Sequence, residues 1–238
     1  MSNSKPYGFT FNGHHSSDFG LRVLDTKQIT LPAKRKSLVT LPYSSKVIDL
    51  SNVYGQNIYD ERTITFPCKL PYGREDPYEL YSKVTQITNW LYQPIGKVIL
   101  RDDAMPNYAF VGEVQAAPTL EENYNFSKLT IVFQCDAYRL KKRFDDVWDP
   151  FCFDLDAAQE TEFDVHEYEN ILLINTGDKE ATLEVTCEKP VDLVLGDQRY
   201  HLRAGGNSSE DMILAKGENL LTIVGNGKVS FDWTEEVI

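Results

Sequence analysis

Lys128-Leu-Thr-Ile-Val-Phe-Gln-Cys135 places Leu129, Ile131, Phe133 and Cys135 at every second position. Thr63-Ile-Thr-Phe-Pro-Cys-Lys-Leu70 does the same with Ile64, Phe66, Cys68 and Leu70. A period of two is the mark of a strand with one buried face. Pro67 lacks a backbone donor, so its strand is expected at a sheet edge or at a bulge. Lys97–Arg101 and Tyr108–Val114 are further strand candidates, and Asn12-Gly13 signals a tight turn after Phe11.

One helix is expected among these strands. Asp76 can cap it, Pro77 suits its first position, and Glu79 stands where a capping-box acid belongs. Leu80, Val84, Ile87 and Leu91 then form one apolar stripe, and Pro94 and Gly96 stop the element. A single amphipathic helix must pack on the sheet those strands make. The fold class that follows is mainly β with one helix in the N-terminal domain, an α+β arrangement.

Between Asp25 and Leu70, Leu31-Pro32, Leu41-Pro42 and a polar run after Tyr43 interrupt short strand-like pieces, Ser37–Leu41 and Lys46–Leu50. The segment reads either as a long hairpin arm whose edges pair with another chain or as a surface loop.

From Glu169 the pattern changes to short strands about ten residues apart, with Gly, Asp and Asn turns between them. These run Asn170–Asn175, Ala181–Cys187, Val191–Leu195, Gln198–Arg203, Asp211–Leu214, Asn219–Val224 and Lys228–Trp233. Gly225-Asn-Gly227 is expected to be a turn. Such spacing predicts an antiparallel β-sandwich.

Charge divides the chain at the same place. The 238 residues carry a net charge of −12. Basic and acidic side chains balance up to Tyr138, so the whole excess lies in the last hundred residues. The expected organisation is an N-terminal domain over 1–138, a linker over 139–168 and a sandwich over 169–238. The linker includes the charged run from Arg139 to Pro150, and its last residues could supply the first strand of the sandwich.

A strongly acidic chain repels phosphate backbones, so nucleic acid is not an expected partner. No apolar run approaches the length of a membrane span. Met1–Tyr7 lacks the apolar core of a secretory signal, which points to synthesis in a cytoplasm. Cys68, Cys135, Cys152 and Cys187 have no paired spacing, so buried reduced thiols are expected rather than a metal site.

No catalytic residue, metal ligand or cofactor site is expected. The histidines are His14, His15, His166 and His201, and no G-x-S-x-G, H-E-x-x-H or phosphate loop occurs. His14-His15 follows a turn and reads as an exposed polar pair. The acids Asp102-Asp103, Glu121-Glu122 and Asp145-Asp146 are neighbours, which point to opposite faces on a strand. Arg199, His201 and Arg203 share one strand face and could meet sugar hydroxyls. The strand is similar to the His-x-Asn-x-Arg strand of galectins, but Arg199 stands first and His201 replaces the Asn.

The first 138 residues resemble the N-terminal domain of phage distal tail proteins of long non-contractile tails. The stretches that carry the resemblance are Tyr7-Gly-Phe-Thr-Phe-Asn-Gly-His-His-Ser-Ser-Asp-Phe-Gly-Leu21, Tyr59-Asp-Glu-Arg-Thr-Ile-Thr-Phe66, the helix end Trp90-Leu91, Gly96–Asp103 and Phe133-Gln-Cys-Asp-Ala-Tyr138. The family often has Pro where Ala137 stands. The second unit is compatible with the galectin-like C-terminal sandwich of that family.

The resemblance implies a homohexameric ring at the virion tail tip, assembled in a bacterial host cytoplasm. Its implied partners are further copies of itself, the tail tube protein, the tail-associated baseplate or fibre protein, and receptor-binding proteins on the C-terminal domains. Residues of the arm and its base are the expected subunit interface: Lys34, Arg35, Leu41, Tyr43, Leu50, Tyr59 and Arg62. The alternative function is a carbohydrate-binding, lectin-like module using Arg199, His201 and Arg203.

Overall fold

A computed structural model describes residues 6–43, 45–51, 57–141 and 159–238. The chain divides into two compact units, Met1–Arg139 and Leu140–Ile238.

The first unit is built from β1 (Phe9–Phe11), β2 (His14–His15), β3 (Arg22–Val23), β4 (Gln28–Ile29), β5 (Leu38–Thr40), β6 (Val47–Asp49), β7 (Arg62–Leu70), α1 (Pro77–Tyr92), β8 (Val98–Asp102), β9 (Tyr108–Glu113), β10 (Thr119–Glu122) and β11 (Ser127–Cys135). Its main sheet runs β2-β1-β8-β9-β11-β7-β3, with β10 against β11 and β4 against β7. The two alternating stretches are neighbours, paired antiparallel from Ser127↔Leu70 to Cys135↔Arg62. Asn12 and Gly13 both take positive φ, 46° and 77°, which matches the right-handed twist of the β1–β2 hairpin.

Pro67 is not on the outermost strand. It lies in β7, whose outer neighbour changes from β3 (Val23↔Cys68) to β4 (Gln28↔Thr65) at this point. The Pro67 carbonyl accepts from Leu24 N at 2.8 Å. The missing donor therefore falls in the break between two short partners, where no ladder bond is lost.

Helix α1 buries Leu80, Ile87, Trp90 and Leu91. Asp76 accepts from Glu79 N at 3.3 Å, but its own N–H goes to Gly73 O, so only half of the expected capping box forms. Trp90 stacks on Phe19 with ring centroids 4.3 Å apart and meets Phe9 at 5.9 Å. Its indole Nε1 donates to Phe11 O at 3.0 Å. Phe9, Phe66 and Phe133 complete an aromatic core between helix and sheet.

The unit boundary falls inside β12 (Arg139–Lys141). Beyond it come β13 (Glu162–Asn175), β14 (Ala181–Cys187), β15 (Val191–Leu195), β16 (Gln198–Leu202), β17 (Gly205–Leu214), β18 (Gly217–Asp232) and β19 (Glu235–Val237). The first long strand thus begins at Glu162, within the stretch expected as linker. Residues 142–158 lie outside the described residues.

The sheet order is β16-β15-β18-β14-β17, with β13 on the other side of β18. Gly225-Asn-Gly227 is not a turn. β18 continues through it, pairing β15 over Leu221–Val224 and then β14 over Val229–Asp232. β13 follows the whole way, from Asn175↔Gly217 to Glu162↔Ser230. Gly225 at φ 151°, Gly227 at φ 127° and the facing Glu167 at φ 64° mark where both strands bend. Inward side chains of β13–β18 meet in one core with Trp233, so the bent sheet closes into two layers. The fold is mainly β with a single helix, as the sequence predicts.

Candidate assembly surface

Within the segment between Asp25 and Leu70, β4 and β7 join the main sheet, while β5 and β6 form an exposed hairpin. Its base is tied by Asp60 N to Ala33 O and Arg35 N to Ile58 O, each 2.8 Å, and by a bridge between Lys34 and Tyr59. Further out β5 and β6 pair as Leu38↔Asp49, Val39↔Ile48 and Thr40↔Val47. Two ion pairs brace it: Arg35–Asp60 and Lys36–Asp49, both 2.8 Å. The Lys36 ammonium and the Ser51 hydroxyl and N–H hold the Asp49 carboxyl well below the usual carboxylate range.

No residue of β5 or β6 is buried. Leu38, Val39, Leu41, Tyr43, Val47, Ile48 and Leu50 are all exposed. Two strands alone are marginal in water, and a cluster of bare apolar side chains marks an interaction surface. Both faces of this hairpin are apolar, which neither a one-sided sheet nor a solvated loop requires.

The expected interface residues separate on this geometry. Lys34, Arg35, Leu41, Tyr43 and Leu50 are exposed on the arm. Tyr59, at its base, is half-buried and meets Tyr138 edge-on at 5.8 Å. Arg62 is not on the surface. It is 1% exposed, its Nε and Nη2 both donate to Ala137 O, and its guanidinium lies over the Phe110 ring. That side chain is spent inside its own domain and has nothing to offer a neighbour. The sequence reading does not point to Leu38, Val39, Val47 and Ile48, which the structure bares. The signal available was the run of apolar residues at consecutive rather than alternate positions.

Beside the arm base, Lys97 bridges Glu61 and Asp136, the latter at 2.6 Å. Burial pulls its ammonium down, but the bonds to Asp136 and Glu61 outweigh this and raise it. At the other end of the sheet the histidine pair divides. His14 is exposed, while His15 is buried, with Nε2 3.0 Å from Asp103 and Nδ1 2.6 Å from Ser17 Oγ. Asp102 turns inward to Lys27 at 2.5 Å and accepts from the Tyr7 hydroxyl at 3.0 Å. Asp102 is thus buried and Asp103 exposed, and through them Tyr7, Lys27 and His15 are tied to the end of β8; Asp145-Asp146 lies outside the described residues.

In the second unit Arg199 and His201 share a face of β16, and Arg203 follows that strand; all three are exposed. Asp192, opposite His201 on β15, takes both of the first two: His201 Nδ1 at 2.5 Å and Arg199 Nε at 3.5 Å. Cys68, Cys135 and Cys187 are free and buried; Cys152 lies outside the described residues. Among the described residues no helix is long and apolar enough to cross a membrane, and no group of three or more His, Cys, Asp or Glu is placed to hold a metal ion.

Neither a family model nor a curated protein matches the sequence. Comparison with solved structures gives a full-length match. The Dit protein of phage SPP1, described as a paradigm of the hub adsorption apparatus in phages that infect Gram-positive bacteria, superposes with a TM-score of 0.67. The match covers 98% of this chain and 100% of that one, at 13% identity. The chain has the Dit fold. A chain of the phage p2 baseplate in its activated, strontium-bound form gives a TM-score of 0.45 at 10% identity, covering 96% and 97%. With so few identities to SPP1 Dit, the likeness lies in the backbone fold.

Proposed function

We propose that the chain is the distal hub of a phage or prophage tail. Six copies form a ring at the virion tail tip, joining the tail tube to the tail-associated baseplate or fibre protein. The C-terminal sandwiches face outward and anchor receptor-binding proteins. The protein is made and assembled in the bacterial cytoplasm, and its role is architectural, calling for no catalytic group or cofactor.

The observation that carries this is the bare hairpin of β5 and β6 on a chain that matches SPP1 Dit from end to end. An arm with apolar side chains on both faces needs a partner surface, and closed cyclic symmetry supplies one per copy without open-ended growth. The charge balance up to Tyr138 suits packing against copies, since like-charge repulsion is absent there. Lectin activity has less support, because Asp192 already engages His201 and Arg199.

Light scattering on the purified chain tests the proposal. The expected mass is six times the 27.2 kDa protomer. Deleting Lys34–Ser51 is expected to abolish the ring while the sandwich stays folded. A full-length chain that stays monomeric at high concentration, alone and beside tube and baseplate proteins, or a truncated chain that still runs as a hexamer, overturns it.

A further inference from the structure

Among the described residues, β13 has one edge paired with β18 and one edge without a partner strand. Ile174 shows which main-chain groups face outward: its N–H donates to Gln159 Oε1 at 2.8 Å and its carbonyl accepts from Gln159 Nε2 at 2.7 Å. One side-chain amide thus stands where the next strand would lie. Along an antiparallel strand this orientation recurs every second residue. The outward set therefore continues through Leu172, Asn170 and Tyr168. Their cross-strand partners in β18 are Leu220, Thr222 and Val224. No described residue pairs with the outward N–H and C=O groups of Tyr168, Asn170 and Leu172 on the bare side.

Natural sheets blunt such edges with charge, kinks or cover. Here Gln159 covers one end, and the kink at Glu167 with Glu162 and Asp164 blunts the other. Tyr168–Leu172 between them has no partner strand among the described residues. Its flank is apolar, since Tyr168 is 60% and Leu172 49% exposed. Glu167 and Glu169 border it, adding negative charge on either side of Tyr168. The other ends of the sheet offer less: β16 has only five residues, and on β17 the Asn207 amide fills its own turn with bonds to the Arg203 and Gly205 carbonyls.

We propose that the Tyr168–Leu172 edge of β13 is a strand-addition site for an extended segment of a partner protein, with apolar residues alternating with lysine or arginine. Main-chain bonds to Tyr168, Asn170 and Leu172 fix the register, the apolar positions lie beside Tyr168 and Leu172, and the basic positions meet Glu167 and Glu169. Charge selects against a second copy as the occupant. The entire −12 lies in this half of the chain, so pairing two such edges would bring acid against acid. The site does not depend on ring formation.

A blocked peptide of about nine alternating valine and lysine residues, spanning the open edge at roughly 3.3 Å per residue, is the probe. Titrated calorimetrically into the full-length protein, it is expected to bind and to slow hydrogen exchange at the amides of Tyr168, Asn170 and Leu172. Without peptide those three exchange faster than Glu169, Ile171 and Leu173. The same peptide N-methylated at alternate residues keeps its charge but loses its donors, and is expected to bind about tenfold more weakly or worse. Asn170→Pro removes one outward donor and is expected to cost as much; Leu172→Lys, on the exposed face, weakens binding by repulsion while leaving the melt unchanged. Absence of binding, equal binding of the N-methylated peptide, or protection elsewhere overturns the proposal. So does self-association of the free chain that Leu172→Lys abolishes, which would assign the edge to a second copy.

Discussion

Gly225 illustrates how one residue sets the shape of a domain. Its φ of 151° lies where side chains are strained, and an added Cβ would stand 2.7 Å from Val191 Cγ1. Gly225→Ala is expected to cost about 1–3 kcal/mol from strain and overpacking. Urea unfolding should show the loss in the sandwich transition and leave the N-terminal one in place. Buried thiols make a second residue-scale case. Burial pushes the Cys68 thiol up to about 12, and does the same for Cys135 despite the nearby Arg62. The thiolate is the reactive form. Iodoacetamide at pH 8 is therefore expected to leave both unlabelled in the native chain and to label them in urea, as peptide mapping would report.

Among the elements, α1 owes its hold on the sheet to Trp90. Trp90→Ala removes the stack on Phe19, the contact with Phe9 and the bond to Phe11 O together. The expected cost is about 3–5 kcal/mol, measurable as a lowered unfolding midpoint of the N-terminal unit. The sequence predicts this helix and the strands β7, β11 and β14, because each carries its full period within one element. Contacts far apart in sequence decide the rest. Gly225-Asn-Gly227 has turn chemistry, yet β13 runs along its other side and keeps β18 going. Pro67 signals an edge, but the break between β3 and β4 accommodates it one strand in. Arg62 and His15 look like surface residues until a carbonyl and a carboxylate from distant loops are brought to them. The arm is legible as an interrupted strand pair; which residues it bares depends on what fails to cover it.

For the whole molecule, composition and fold divide the work in the same place. The balanced first unit carries the bare arm, and the acidic second unit carries a bare strand edge. These two surfaces differ in what they select: the arm presents apolar side chains on both faces, whereas the edge presents main chain framed by carboxylates. At 13% identity to SPP1 Dit the backbone fold is held in common while few residues are, so the sequence reveals the architecture through its patterning more than through individual residues.

The pairing of β13 with β18 over 14 consecutive residues has a mechanical consequence. Tension drawn along these two strands in opposite directions loads their rungs simultaneously, in shear, whereas a hairpin pulled open at its mouth gives way one rung at a time. A sandwich laced lengthwise in this manner resists force along its strand axis more than force applied across it.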